Sequence, residues 1–170
     1  MLAEGRVLGP GEGKRIDLPS GAAIIFKAWG EREAGNFDLA EFVAEPGVPG
    51  PRPHIHRTHE ELFYVLTGQF DFLVGEEVVR VGERSLVHVP PGVIHDFRNA
   101  GSTQARCLII PSPRGLDRYF EEKGRLASSG TADESAIAAL RLKYDIDEVD
   151  VAWKSPPNSG AAGGDRASVL

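Results

Sequence analysis

The 170-residue sequence predicts an all-β fold, two facing sheets or a barrel, followed by a short helical extension. Twenty glycines and twelve prolines punctuate short apolar runs, the pattern of many strands joined by turns. Those runs carry the β-branched and aromatic residues that a half-buried sheet prefers. After Pro111 and Pro113 the apolar spacing turns helical.

In chain order, residues 1–19 read as an N-terminal arm, with Ala3–Leu18 a candidate flanking or swapped strand. Residues 20–112 hold the predicted strands Ala22–Ala28, Phe37–Ala44, Leu62–Thr67, Phe70–Val74, Val78–Val81, Ser85–Val89, Asp96–Arg98 and Ala105–Ile110. The segment Phe70–Val81 has the form of a hairpin turning around Gly75–Glu77. Residues 113–152 are expected to be helical. Leu116, Tyr119 and Phe120 share one helical face, and Ile137, Leu140 and Tyr144 share another. Thr131-Ala132-Asp133-Glu134 has the form of a capping box, with Glu134 reaching back to Thr131, which predicts a second helix near Asp133–Tyr144. Such helices would cover an open flank of the barrel or support a dimer contact. The tail, residues 153–170, is rich in Ser, Pro, Gly and Ala and is expected not to order by itself.

Composition sets bounds. With 41% apolar and 26% charged residues, the chain reads as one soluble globular domain. A net charge of −6 without a basic cluster argues against nucleic acid or an anionic membrane as partner. A single cysteine excludes an internal disulfide. MLAEGRVLGPGEGKR lacks the basic-then-apolar order of a signal peptide, and no apolar run approaches membrane-spanning length. The expectation is a cytoplasmic protein with a small-molecule partner.

The residues with chemistry are His54, His56, Glu61 and His95. The first three form His54-x-His56-x4-Glu61, closed by Gly68, and the fourth lies in Pro90-x-Gly92-x2-His95-x3-Asn99. Alternate residues of a strand share a face, so His54 and His56 point into one cavity. Glu61 opens the next strand and shares its face with Phe63 and Val65. His95 follows a Pro90-Pro91-Gly92 turn that can hold it in place. Three neutral imidazoles and one carboxylate suit one divalent transition metal ion: Fe, Mn, Co, Ni, Cu or Zn. Six-coordinate, that ion keeps two positions for water, substrate or dioxygen, whereas four-coordinate zinc would be closed and structural.

Other residues weigh less. His59, on the loop between ligands, reads as solvated, or else as a donor to a ligand or a proton carrier. His88 faces away from Val87 and Val89 and is either a wall residue or a cavity residue. Cys107, in an apolar run, reads as buried and inert. Phe63 and Phe97, each two residues from a ligand on the same face, are the candidates to line a pocket. Val65, Phe70 and Phe72 read as core.

The two segments resemble the two motifs of the cupin superfamily, the first matching at Gly50, His54, His56, Glu61 and Gly68, the second at Gly82, Pro90, Gly92, His95 and Asn99. The resemblance implies a cupin double-stranded β-helix, or jelly-roll barrel. It implies His54, His56, Glu61 and His95 as metal ligands, turn roles for Gly68 and Gly92, and a structural role for Asn99. Glu60 is an alternative carboxylate ligand, although the interval to Gly68 favours Glu61. Seven residues separate Gly82 from Pro90, where the family pattern has about five, which predicts a longer turn or bulge. The segment Pro113–Val151 resembles the helical extension of small quercetinase-like cupins. That implies a metal-dependent oxygenase acting on a small aromatic or enolic molecule, with Glu61 also able to take a substrate proton. A redox-neutral isomerase, decarboxylase or cyclase and a non-enzymatic ligand-binding cupin stay open. The resemblance also implies a homodimer.

Overall fold

The computed structural model describes residues 5–30 and 36–153. Its elements are β1 (Lys14–Asp17), β2 (Ala23–Ala28), β3 (Leu39–Ala44), β4 (His54–Ile55), β5 (Glu60–Thr67), β6 (Gln69–Val74), β7 (Glu77–Gly82), β8 (Leu86–Val89), β9 (His95–Asn99), β10 (Ala105–Ser112), α1 (Leu116–Ser129), α2 (Glu134–Lys143) and β11 (Asp147–Glu148). One sheet has the order β1-β2-β3-β10-β5-β8 and the other β11-β4-β9-β6-β7, with every paired neighbour antiparallel. Strands distant in sequence are therefore neighbours in space, the jelly-roll pattern, and His54 of β4 meets His95 of β9 although the two are 41 residues apart.

Strict alternation builds the interior. In β5 Glu61, Phe63 and Val65 point inward, and in β10 Ala105, Cys107, Ile109 and Pro111 do the same. Phe97 stands at the centre of an aromatic cluster, edge-on to Phe42 at 4.9 Å between ring centroids, 5.1 Å from Phe63 and stacked on Phe72 at 5.5 Å. Burying one such ring contributes about 2–3 kcal/mol, so this cluster is the main apolar tie between the two sheets.

Each of the eight expected strands is present, with ends shifted by one or two residues, and the β6–β7 hairpin turns at Gly75–Glu76. The long interval after Gly82 is a turn in which Arg84 adopts a positive φ of 67° and its N–H donates to the Val65 carbonyl. Of the arm, Lys14–Asp17 forms a strand that flanks β2 of the same chain. Three features differ from expectation. The ordered strand at the first motif is only His54–Ile55, because β4 is held by short pairings on each side. Segment 113–152 is helical only as far as Lys143. It then runs extended as β11, because Asp145 turns the chain at a positive φ of 58°. The cap of α2 is Asp133, not Thr131: its Oδ1 accepts from the Ala136 N–H at 2.7 Å, while Glu134 pairs with Arg141. A carboxylate at the cap both accepts that N–H and meets the positive end of the helix. The tail from residue 154 onward lies outside the described residues, and among those described no helix is long and apolar enough to cross a membrane.

The helices cover a flank of the sandwich. Leu116 and Phe120 pack on the core, with Phe120 edge-on to Phe26 at 6.3 Å. The start of α1 has no local side-chain cap; Asp38, fully buried at the mouth of β3, replaces it. Its Oδ2 accepts from the Gly115 and Leu116 N–H groups at 2.8 and 2.9 Å. Asp38→Ala should therefore lower unfolding stability by about 1–3 kcal/mol in urea titration, with the loss of a cap that the chain supplies from 77 residues away.

Candidate metal centre

The ligand segments come from both sheets. β4 and β9 pair with His54 directly opposite His95, and His56 follows β4 by one residue. Glu61, the second residue of β5, reaches across from the other sheet. Donor atoms of His54, His56, Glu61 and His95 all lie within 4.8 Å of one another, and all four residues are buried. Around an ion at ~2.1 Å, donor pairs stand about 3–4 Å apart, so binding would draw the most widely spaced of these donors together.

Each imidazole is oriented by a backbone carbonyl. The Nδ1–H of His54 donates to Arg52 O at 2.8 Å, that of His56 to Asp145 O at 2.6 Å, and that of His95 to Val93 O at 3.1 Å. A carbonyl can only accept, so each Nδ1 carries the proton and each Nε2 is left to ligate. Three converging Nε2 atoms with a carboxylate oxygen fit a divalent transition metal ion.

Local chemistry sets the turns. Gly92, at a φ of 85°, lets the chain reverse before His95, and its N–H donates to the His56 carbonyl at 2.7 Å, tying the second motif to the first. Gly68, at a φ of 79°, passes so close to Ala105 that a Cβ there would lie 2.8 Å from the Ala105 Cβ. Asn99 donates to the Ala44 and Thr103 carbonyls and accepts from the Gly101 N–H, a structural bridge.

Charge is distributed to favour a cation. Glu61 Oε2 lies 3.1 Å from His95 Nε2 and 3.8 Å from His56 Nε2. Burial opposes its ionisation, but those two imidazoles outweigh burial and hold the carboxyl well below the usual range. Burial, with His95 beside it, lowers the His54 pKa to about 3, so this ring is neutral at physiological pH. Burial also acts against protonated His56, yet Glu61 and the Asp145 carbonyl more than offset it and raise its pKa.

Other sequence candidates take distinct places. Glu60 lies on the outer face of β5, exposed and 3.1 Å from exposed His88, so His88 is outside the cavity and Glu61 is the carboxylate that meets the histidines. His59 is half-buried, not freely solvated, and its Nδ1–H donates to Asp145 Oδ2 at 2.9 Å. Cys107 is fully buried, and burial pushes its thiol up, out of thiolate chemistry. A cavity of about 340 Å³ opens beside the ligands, lined by His54, His56 and Glu61 and walled by Phe42, Phe97, Ile109 and α1. Phe97 therefore borders the cavity. Phe63 does not: it is fully buried against Phe72 and Phe97, beneath the site.

Asp145 is the residue that sequence reasoning missed. Besides its carbonyl bond to His56, its carboxylate accepts from the Arg57 and Thr58 N–H groups, the Thr58 hydroxyl and His59. Burial opposes its ionisation, but those donors hold its carboxyl well below the usual range. The segment after it continues as a strap: β11 pairs with β4, Val149 N–H donates to Pro53 O, and Trp153 Nε1–H donates to Asp96 beside His95.

A cupin-domain family model matches residues 40–111, which contain all four candidate ligands. An uncharacterized protein of Streptomyces coelicolor is 36% identical over 79 residues, 46% of this chain and 71% of that relative. This chain belongs to the cupin superfamily. Solved cupin-fold structures agree: KdgF from a Halomonas species aligns with a TM-score of 0.58 at 21% identity, over 68% of this chain and 99% of that one. An RmlC-like cupin from Shewanella frigidimarina gives 0.57 at 19%, over 69% and 99%. The polyketide cyclase RemF from Streptomyces resistomycificus gives 0.58 at 20%, over 65% and 81%. At these identities the likeness is one of fold.

The cupin site generates two expectations. His54→Ala and His95→Ala should each abolish stoichiometric metal binding in elemental analysis while the far-ultraviolet circular dichroism of the barrel is kept. Unchanged metal content in both would reject the ligand assignment. Metal affinity should also fall with pH. Imidazolium cannot ligate, and the raised pKa of His56 means that protons compete there first, so affinity is full above that pKa and lost as pH falls through it. Calorimetric metal titrations across pH 5 to 8 check the sign, spanning the ordinary histidine range.

Proposed function

We propose that this cupin is a metal-dependent oxygenase acting on a small aromatic or enolic molecule. The observation that carries the reading is the placement of two Nδ1-locked imidazoles, His54 and His56, and one ionised carboxylate, Glu61, on the wall of a largely apolar cavity, with the third locked imidazole, His95, buried within reach of the same donors. A divalent transition metal ion held by His54, His56, Glu61 and His95 would supply Lewis acidity that acidifies an enol or phenol, and, if redox-active, reactivity toward dioxygen.

The chain supplies the rest. Phe42, Phe97 and Ile109 offer an apolar wall against which a ring lies and from which water is displaced. The carbonyl locks on the imidazoles keep the donor atoms aimed without further reorganisation. Both imidazole contacts of Glu61 use Oε2, so Oε1 is the atom we assign to accept the substrate's hydroxyl proton. The interactions that keep Glu61 ionised also weaken it as a base, which suits an acidified enol or phenol better than an alcohol.

The test is elemental analysis of the purified protein, then oxygen-electrode assays with flavonols, catechols and enediols after reconstitution with Fe, Mn, Ni, Co and Cu in turn. One ion per chain with substrate-dependent oxygen uptake is the expected result. Full metal occupancy without uptake for any pair would reject the oxygenase and leave redox-neutral isomerisation, decarboxylation or cyclisation as the chemistry of the site.

A further inference from the structure

The largely apolar cavity wall carries more cations than carboxylates, although the chain's net charge is −6. Three cations line it, Arg52, Lys123 and Arg141, against two carboxylates, Glu61 and Glu148. Most of these charges are committed. Arg141 pairs with Glu134 at 3.2 Å and Glu148 at 3.0 Å, Arg52 shares Glu148 at 3.9 Å, and Glu61 faces the imidazoles. Lys123 is different. Its ammonium lies over the Tyr119 ring at 5.5 Å and makes no ion pair or hydrogen bond among the described residues. It is half-buried, on the cavity face of α1 with Leu116, Tyr119 and Phe120.

We infer that the substrate is a small aromatic acid whose carboxylate is held by Lys123. The inference rests on the proposed function for the other end of the molecule, the oxygen that meets the metal. Spacing supports the pairing. Leu116 and Tyr119 also border a small recess with His56 and Glu61, so the first turns of α1 lie beside the metal ligands. Lys123 is seven residues beyond Leu116, about 10 Å along the helix axis at 1.5 Å per residue. A hydroxyl at the ligands and a carboxylate at that later turn would suit a molecule with one ring and a short linker between them, its ring against Phe42 and Phe97. A compact ammonium suits one carboxylate better than a phosphate, which favours a bidentate arginine.

Calorimetric titration with 4-hydroxycinnamate and 3-phenylpropionate, each beside its primary amide, tests this on metal-free and on zinc-loaded protein. Each acid should bind about tenfold more tightly than its amide in both forms, the value of one charge-assisted contact. Lys123→Met should remove that preference, Lys123→Arg should restore it, and metal content should be unchanged in both variants. Equal affinity of acid and amide, a preference that survives in Lys123→Met, or no binding of either acid overturns the inference. Zinc should strengthen binding of the hydroxy acid and not of the phenylpropionate. If zinc strengthens neither while the Lys123-dependent preference persists, the metal-anchored reading of the site fails and the assignment of Lys123 stands.

Discussion

The buried Glu61 carboxylate, set among three imidazoles, is the interaction on which this molecule turns. It stands on one sheet and its partners stand on the other, so the same contact that prepares a cation site also ties the two layers of the sandwich at one end. An ionised carboxylate that deep is costly unless neighbours compensate it. Here His56 and His95 do so, and burial keeps His54 uncharged. One neutral ring, His54, and one fixed negative charge, Glu61, follow from burial and geometry together.

The rest of the fold can be understood as support for that arrangement. The antiparallel register that puts His54 opposite His95 depends on a two-residue strand, which by itself is too short to be stable. It is held from both sides, by β9 and by β11, and the aromatic cluster around Phe97 fixes β9 from beneath. Orientation of the rings then comes from three carbonyls, one of them in the turn that precedes His95 and one beyond the second helix. Packing sets where the ligand segments run, and backbone hydrogen bonds set which way each ring faces.

Much of this was legible in the sequence because its causes are local. Alternation in β5 and β10, the Gly68 and Gly92 turns and the helical face of Leu116, Tyr119 and Phe120 are all written within a few residues. The two motifs place their ligands by spacing of the same short range. What was not legible is long-range. Asp38 caps α1 across 77 residues, and Asp145 orients His56 across 89, and neither contact leaves a periodic trace. The partnership of His59 with Asp145 was hidden for the same reason. Thr131 and Glu134 offered a plausible capping pattern, but the shorter carboxylate of Asp133 reached the free N–H group instead. Phe63 shared a strand face with Glu61, yet a common face does not determine depth, and the ring lies under the site.

The hold of Asp145 on His56 also bears on what counts as the unit of function here. The family match ends at Ile110-Pro111, and a segment cut at that point keeps every ligand residue in sequence. It would nevertheless lack the carbonyl that aims one ring, the strand that borders His54 and the lysine on the far wall of the cavity. Grafting the barrel alone onto another chain would therefore transfer the donor set without its alignment. A change in the segment after the barrel would therefore retune this donor set without altering a single ligand.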